Sequence, residues 1–394
     1  MFSLKVRSLL AFDECRINSP HSLKAIYGIN HIPCDTSIRE ILDGMDPVNI
    51  RPAFTSAFAQ LQRGKALERF EYMDNSYLIC FDGTGIFSSN KLTSPSCMEK
   101  QASAGGTTLY MHMVGAAIVS PYFKEIIPLC PEIIKKQDEE RKNDCERNAI
   151  KRLLKKLRKE HPHIKLIANE DSLASNAPHI RDLKDNNVHF ILGIKQGDHK
   201  FLFNRVEKAA SCGETNEFIL QDDSNKDIMH YFKIINNVPL NKSNQDLLVN
   251  FMEYHEENLA TGEVQYFCWI TDFEITNENA MKIMRGGRAR WKIENENFNT
   301  LKNQGYHLGH NYGLGKKHLS EVFVLLIIFA FLIDQIQQIC CPLFKAVRKK
   351  FKSKIFFWEE LRSLFKRVKA ESMEIVYRTI LKNIQLSISA EIIE

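Results

Sequence analysis

Three acidic residues that are far apart in the chain stand where their carboxylates could share one site. Asp82 follows the apolar run at 77–81, Asp171 follows the run at 164–168, and Glu294 lies in a helical pattern. In a mixed α/β sheet, residues at strand ends converge in one crevice. Three carboxylates there can hold two Mg²⁺ ions roughly 3.5–4 Å apart, an arrangement used for in-line attack on phosphodiesters. The spacing therefore predicts metal-dependent phosphoryl-transfer chemistry.

The helical segment around Glu294 adds cations to the same face. At 3.6 residues per turn, Arg290, Glu294 and Asn297 share one side of the helix, with Arg288 and Lys302 near its ends. Arg and Lys suit the phosphates of a nucleic acid beside a metal-binding carboxylate. A solvated helix with salt bridges between successive turns is the competing interpretation.

Each acid also has a plainer interpretation. The Asp-Gly pair at Asp82 is a common turn dipeptide. Asp171 could cap the helix that follows it, and its neighbour Glu170 competes with it as a ligand. Glu296 competes with Glu294, but residues two apart on a helix face about 200° apart, so only one of them should point inward.

The surrounding pattern of elements predicts an α/β fold. Strands followed by helices indicate a mixed sheet with helices on its faces. Turn residues that alternate with short apolar runs, such as 201–203, predict a β-rich insertion at 196–262. The apolar run at 322–333 is too short to span a bilayer and predicts a buried helix. Strands are expected at 77–81, 109–119, 125–129, 164–168, 188–194 and 264–270, and helices at 143–160, 176–186 and 318–340.

Length and composition set broad limits. A chain of 394 residues is long enough for two or three structural units. The balance of 53 basic against 48 acidic residues is only mildly positive, but basic residues cluster at 151–159 and 345–354. Such clusters suit a phosphate backbone or a solvated face about equally. The ten cysteines form no C-x-x-C pair, which argues against a zinc site or disulfide framework and for a reducing compartment. The N-terminal residues show no signal-peptide pattern, and we expect no membrane association.

Three motifs together resemble the DDE transposases of bacterial insertion sequences, in the insertion-sequence-4-like group with a ribonuclease-H-like catalytic core. They are Phe-Asp-Gly-Thr at 81–84, Asn-Glu-Asp-Ser-Leu at 169–173, and Arg-Trp-Lys-Ile-Glu at 290–294. The resemblance covers residues from about 35 to 335. Two positions depart from the family: Gly287 stands where a Tyr is usual, and the motif's Lys falls at Lys302, one position late.

For the fold, the resemblance implies a ribonuclease-H-like mixed sheet flanked by helices and interrupted by the insertion, with helical regions at both ends. The expected regions are a helical N-terminal region with possible DNA binding (1–70), the first part of the core (71–195), the insertion (196–262), the second part of the core (263–340) and a basic helical tail (341–394).

For the activity, the resemblance implies that Asp82, Asp171 and Glu294 are catalytic and bind two Mg²⁺ ions, for which Mn²⁺ can substitute. The DNA-binding residues would be Arg288, Arg290 and Lys302. The partners would be the terminal inverted repeats of the element and the target DNA, bound by a homodimer in the bacterial cytoplasm at the nucleoid.

Other interpretations stay open at this stage. Trp291 could stack on a displaced base or anchor its helix in the core, and we expect the core role. The chain could instead be a catalytically inactive or repurposed DNA-binding protein on the same scaffold. A third alternative is a helical scaffolding or RNA-binding protein whose acids are turn and cap residues.

Overall fold

A computed structural model of the chain describes residues 1–91, 94, 97–101, 106–135, 145–310 and 312–382. The chain divides into two compact units. The first unit comprises Met1–Ala57, Ile86–Tyr110 and Asn299–Glu394, and the second comprises Phe58–Gly85 and Met111–Phe298.

Helices form most of the first unit and flank the sheet of the second. Short 3-10 helices lie at Phe2–Leu4, Pro47–Ile50, Glu68–Phe70 and Met73–Asn75, and a π-helix lies at Ile293–Asn299. The α-helices are α1 (Leu9–Asn18), α2 (Pro20–Tyr27), α3 (Asp35–Asp43), α4 (Arg51–Arg63), α5 (Glu146–Glu160), α6 (Ala177–Asp185), α7 (Lys200–Ser211), α8 (Ala280–Arg288), α9 (Thr300–Asn303), α10 (Leu319–Cys340), α11 (Pro342–Lys349), α12 (Lys354–Arg367) and α13 (Met373–Lys382).

The strands form one mixed sheet. They are β1 (Tyr77–Ser89), β2 (Met98–Gln101), β3 (Thr107–Val119), β4 (Ile127–Pro128), β5 (Glu132–Ile134), β6 (Leu166–Glu170), β7 (Val188–Gly193), β8 (Asn216–Gln221), β9 (Ile228–Asn241), β10 (Asn244–Asn258) and β11 (Glu263–Thr271). In the second unit the strand order is β3-β1-β6-β7-β11-β10-β9-β8, and β4 and β5 also pair with β3. The predicted α/β class with a mixed sheet between helices is confirmed.

The centre of this sheet is parallel and fully buried. β1 pairs in parallel with β6, and β6 pairs in parallel with β7. All five residues of β6 are buried, as expected for a strand covered on both faces. The later strands β11, β10, β9 and β8 run antiparallel to their neighbours. β6 and β7 therefore end at the same level, whereas β1 continues beyond them.

Helix α5 shows how the basic cluster at 151–159 is used. Its apolar residues are buried, while Arg152 and Lys156 both pair with Glu132 at 3.0 and 2.6 Å. Lys151 pairs with Asp182 at 2.9 Å. Much of this positive charge is therefore matched inside the unit.

Two local expectations are wrong. β1 does not turn at Asp82 but continues to Ser89, because its neighbour β3 is equally long and keeps it paired. The run at 201–203 is not a strand but part of α7, whose buried residues Leu202, Val206 and Ala209 follow a helical repeat. The insertion at 196–262 is β-rich around that one helix.

Helix α10 forms the apolar centre of the first unit. The prediction of a buried helix is confirmed, although the helix has 22 residues and extends well beyond the apolar run. Among the described residues it alone is long and apolar enough to cross a membrane, but 67% of its most apolar window is buried within the protein. That burial is typical of a core helix in a soluble protein.

Candidate functional site

The sheet register brings the two predicted aspartates to the same level. β1 and β6 run parallel, with Cys80 opposite Asn169, so Asp82 and Asp171 each stand two residues further along. β6 ends at Glu170, which places Asp171 in the loop just beyond it. The Asp171 side chain is exposed and accepts a hydrogen bond from the Leu173 backbone N–H at 2.9 Å. Asp171 does not cap α6, because Asn176 occupies that position.

Glu294, on the π-helix, is linked to Asp82 by ion pairs that both residues make with Arg290. Arg290 Nη1 lies 2.7 Å from Glu294 Oε1 and 3.7 Å from Asp82 Oδ2. The Glu294 side chain is half exposed, whereas Asn297 is buried, because the wider π turn separates residues that an α-helix would place on one face. Arg290 is therefore the shared counter-ion of the acids.

The titration of Asp82 reflects this crowding. Burial raises the pKa of its carboxyl to about 6. The charge of Arg290 acts to lower that pKa, and so does the Gly83 N–H, which donates to Asp82 Oδ1 at 2.8 Å. The negative charges of Glu294 and Asp171 act with burial to raise it. All three acids also act on Arg290, whose pKa is raised by them against its burial. The three predicted acids thus form one electrostatic cluster, which we call the acidic cluster: Asp82, Asp171 and Glu294.

Buried polar contacts fix the chain on both sides of Arg290, which lies in the turn after α8. The Asn169 side chain donates to the Gly286 carbonyl at 2.5 Å and to the Gly287 carbonyl at 3.4 Å. Lys292, which is 4% exposed, donates to the Phe123 carbonyl. The Asn169 bonds fix the end of α8 to β6, and the Lys292 bond fixes the chain after Arg290. An Asn inside an apolar strand is the sequence signal for such a buried polar contact.

The departure at Gly287 has a packing explanation. A Cβ atom built there would lie 2.3 Å from Nε1 of Trp269, which is itself buried. No side chain larger than that of glycine fits unless the indole moves. The ring of Trp269 therefore lies where a side chain at Gly287 would begin.

The alternative acids, Glu170 and Glu296, interact with residues other than those of the acidic cluster. Glu170 is 2% exposed and its Oε1 lies 2.7 Å from His179 Nε2. Burial alone would lower the pKa of His179, but the charge and hydrogen bond of Glu170 raise it. Glu296 acts on Lys292 instead of on Asp82. Asp171 and Glu294 are thus the members of each pair that reach the acidic cluster.

A groove of about 600 Å³ adjoins the cluster in the second unit. It is lined by Asp171 and Arg290 together with Lys195 and the aromatic residues Tyr266 and Trp291. The expectation of a core role for Trp291 is wrong: it is 42% exposed, because its helix buries the opposite side through Lys292 and Ile293. Cations interleaved with exposed aromatic rings characterise the groove.

The remaining predicted DNA contacts are placed differently. Arg288 lines the groove, but it is paired with Glu256 at 2.6 Å and bonded to Gln265 at 3.1 Å. Lys302 is exposed on α9 and belongs to the first unit. Burial lowers its pKa. Arg290 is the residue whose contacts with Asp82 and Glu294 place it at the acidic cluster.

The donor chemistry of the cluster suits a hard cation, since carboxylate oxygens are the ligands that Mg²⁺ prefers. Within the described residues, however, no group of three or more His, Cys, Asp or Glu side chains is arranged to hold a metal ion. Arg290 lies within ion-pair distance of Asp82 and Glu294. Part of the negative charge of Asp82 and Glu294 is therefore offset by a side chain.

No protein-family model matches the chain, and no curated protein matches it.

Proposed function

We propose that the chain is a metal-dependent DNA nuclease and strand transferase of the DDE transposase class. The observation that carries the proposal is the ion pairing of Arg290 with both Asp82 and Glu294, with Asp171 at the same level beyond the neighbouring strand. The three carboxylates come from β1, the loop after β6 and the π-helix, and carboxylates gathered from separate elements can hold the metal ions of a phosphoryl-transfer site. The raised pKa of Asp82, about 6, is typical of a functional carboxylate.

The strand order supports a ribonuclease-H-like core. β4 and β5 pair antiparallel with β3, which neighbours β1, and β1, β6 and β7 then follow in parallel. Helix α5 precedes β6, and α6 connects β6 to β7. In this order Asp82 lies on the first parallel strand and Asp171 follows the second.

In this proposal Asp82, Asp171 and Glu294 hold the Mg²⁺ ions, which supply an activated water and charge stabilisation when bound. Arg290 holds Glu294 in place through its 2.7 Å ion pair. Its guanidinium has five N–H donors, so it can also donate to a phosphate oxygen. The hydrogen bond from Asn169 to the Gly286 carbonyl fixes the end of α8, just before Arg290, to β6.

The groove supports DNA as the substrate. Lys195 and Arg290 offer phosphate contacts, and the exposed rings of Tyr266 and Trp291 offer surfaces on which bases can stack. We propose the element's inverted repeats and the target DNA as partners, with a homodimer joining two ends at the nucleoid.

A supercoiled plasmid carrying the flanking ends of the element tests the proposal. We expect nicking with Mg²⁺ and none with EDTA. Asp82→Asn, Asp171→Asn and Glu294→Gln should each lower the nicking rate by about 100-fold or more, since each removes a metal ligand. The matched control is Glu296→Gln, which should cut at nearly the wild-type rate. Wild-type rates in any of the three acid variants would remove that residue from the site.

A second candidate is a DNA-binding protein without catalysis on the same scaffold. The ion pairs of Arg290 favour it, because they offset part of the charge of Asp82 and Glu294 without a metal. It predicts salt-dependent plasmid binding with no nicking at any Mg²⁺ concentration.

A further inference from the structure

A small cavity in the first unit is lined by positively charged and titratable side chains. It has a volume of about 110 Å³, and Arg7, Lys302, His307 and Arg362 lie around it, with Trp358 as part of its wall. The wall residues among the described part of the chain include no carboxylate. We call this the cationic pocket.

The N-terminal segment is fixed beside the pocket by buried contacts. Arg362 Nη1 donates to the carbonyls of Leu4 and Lys5 at 3.3 and 3.1 Å. Lys5 is fully buried, pairs with Asp334 and lies 4.0 Å from the centroid of the Trp358 ring. These contacts hold the chain just before Arg7.

The opposite wall is a tight loop. Trp358 Nε1 donates to the Gln304 carbonyl at 3.1 Å, and a Cβ at Gly305 would lie 2.7 Å from Trp358 Cδ1. His307 adopts φ = 58°, a left-handed conformation that few residues other than glycine take. This loop and the Trp358 ring together form one wall of the pocket.

Positive charge accumulates around His307. Burial lowers the pKa of His307, and the charges of Arg7, Arg362 and His310 lower it further. Burial lowers the pKa of Arg362; the charge of Glu359 acts to raise it, and the charge of Arg7 acts to lower it. Repulsion between cations held in fixed positions is relieved by an anion, and the fork of an arginine matches a phosphate.

We propose that the cationic pocket binds a single phosphate group. The volume would hold roughly three to four waters at about 30 Å³ each, which suits one tetrahedral oxyanion but not a nucleobase. The phosphate could be free or part of a nucleic-acid backbone. The proposal does not depend on catalysis by the acidic cluster.

Inorganic phosphate is the first probe, added to the full chain while thermal unfolding is followed. Chloride at equal ionic strength serves as the reference. We expect a saturable rise in Tm with phosphate, because a ligand that binds only the folded state stabilises it. A rise that chloride reproduces would overturn the proposal.

Variants then locate the site. Arg7→Gln removes one exposed cation, and His307→Asn keeps a residue that tolerates the left-handed conformation. Each should weaken phosphate binding roughly tenfold, the effect of one lost charge-assisted hydrogen bond. Lys345→Gln, an exposed cation on α11 outside the pocket, is the matched control. Unchanged affinity in both pocket variants would refute the assignment.

A competition experiment identifies the source of the phosphate. A short DNA duplex without terminal phosphates should displace inorganic phosphate if the natural ligand is a backbone diester, and should not if it is a free phosphate or a monoester. Asp82→Asn should retain phosphate binding in either case, so failure of the proposed catalysis would leave this result intact.

Discussion

The acidic cluster and the cationic pocket concentrate opposite charges by different means. In the acidic cluster, backbone register sets the positions, since Asp82 and Asp171 follow paired residues of two parallel strands. In the cationic pocket, long side chains from distant segments meet, and hydrogen bonds to carbonyl groups fix them. The first arrangement tolerates little movement of its scaffold. The second depends on a few side-chain contacts.

This difference also shows in how the charges are balanced. The acids of the cluster have Arg290 as an internal counter-ion. The wall of the cationic pocket includes no carboxylate among its described residues. We therefore expect disruptions of the scaffold around the cluster to lower stability and nicking, and disruptions of the pocket to lower anion binding.

The largest expected effect on stability comes from Glu170, beneath the acidic cluster. Glu170→Ala should lower the free energy of unfolding by about 3 kcal/mol, because it leaves His179 buried without its partner. The pKa of His179 is raised in the folded state, so the stability from this pair is fully present below pH 6.5. It is lost as pH rises through the raised pKa.

Urea unfolding at several pH values measures this effect. The control is Asp171→Ala, one residue along and exposed, which should change the unfolding free energy by less than about 0.5 kcal/mol. Equal destabilisation by the two variants would contradict the assignment of a structural role to Glu170 and a role in the acidic cluster to Asp171.

Asp82, Asp171 and Glu294 could be predicted from the sequence, because the ends of apolar runs and a helical pattern give their approximate positions in the fold. The choice between Glu170 and Asp171 could not be predicted, because it depends on the contact of Glu170 with His179, and that contact depends on how α6 packs. The exposure of Trp291 was also beyond the pattern, because a tryptophan on an amphipathic helix suits either face. The cationic pocket joins residue 7 to residues near 302 and 362, and local spacing carries no information on such contacts.

The packing of Gly287 against Trp269 gives an intermediate effect. Gly287→Ala should cost about 2 kcal/mol, because the added methyl overlaps an indole that is buried against the sheet. Nicking should fall with it, since Gly287 lies in the last turn of α8, three residues before Arg290. Phosphate binding by the cationic pocket should not change.

The matched control is Gly197→Ala, where nothing lies within 4 Å of the new Cβ. It should alter the urea midpoint very little. If Gly287→Ala unfolds at the wild-type urea midpoint, the Trp269 indole can move to make room for the methyl group. The scaffold of the acidic cluster would then tolerate more movement than we expect.

The smallest expected effect has the opposite sign and tests the charge balance directly. The folded pKa of Asp82, about 6, lies above the ordinary value of 3.8, so folding favours its protonated form. That stability is present below about pH 4 and is lost as pH rises through about 6. Asp82→Asn, which cannot ionise, should therefore stabilise the protein at pH 8 and not at pH 4.

A pKa difference of this size corresponds to at most about 3 kcal/mol, and partial exposure reduces the expected gain to about 1 kcal/mol. Urea unfolding without divalent ions at both pH values gives the measurement. If Mg²⁺ binds the cluster, it should stabilise the wild type and leave Asp82→Asn nearly unchanged. A variant less stable than wild type at pH 8 would show that Arg290 already compensates the buried charge, and would favour the DNA-binding protein without catalysis.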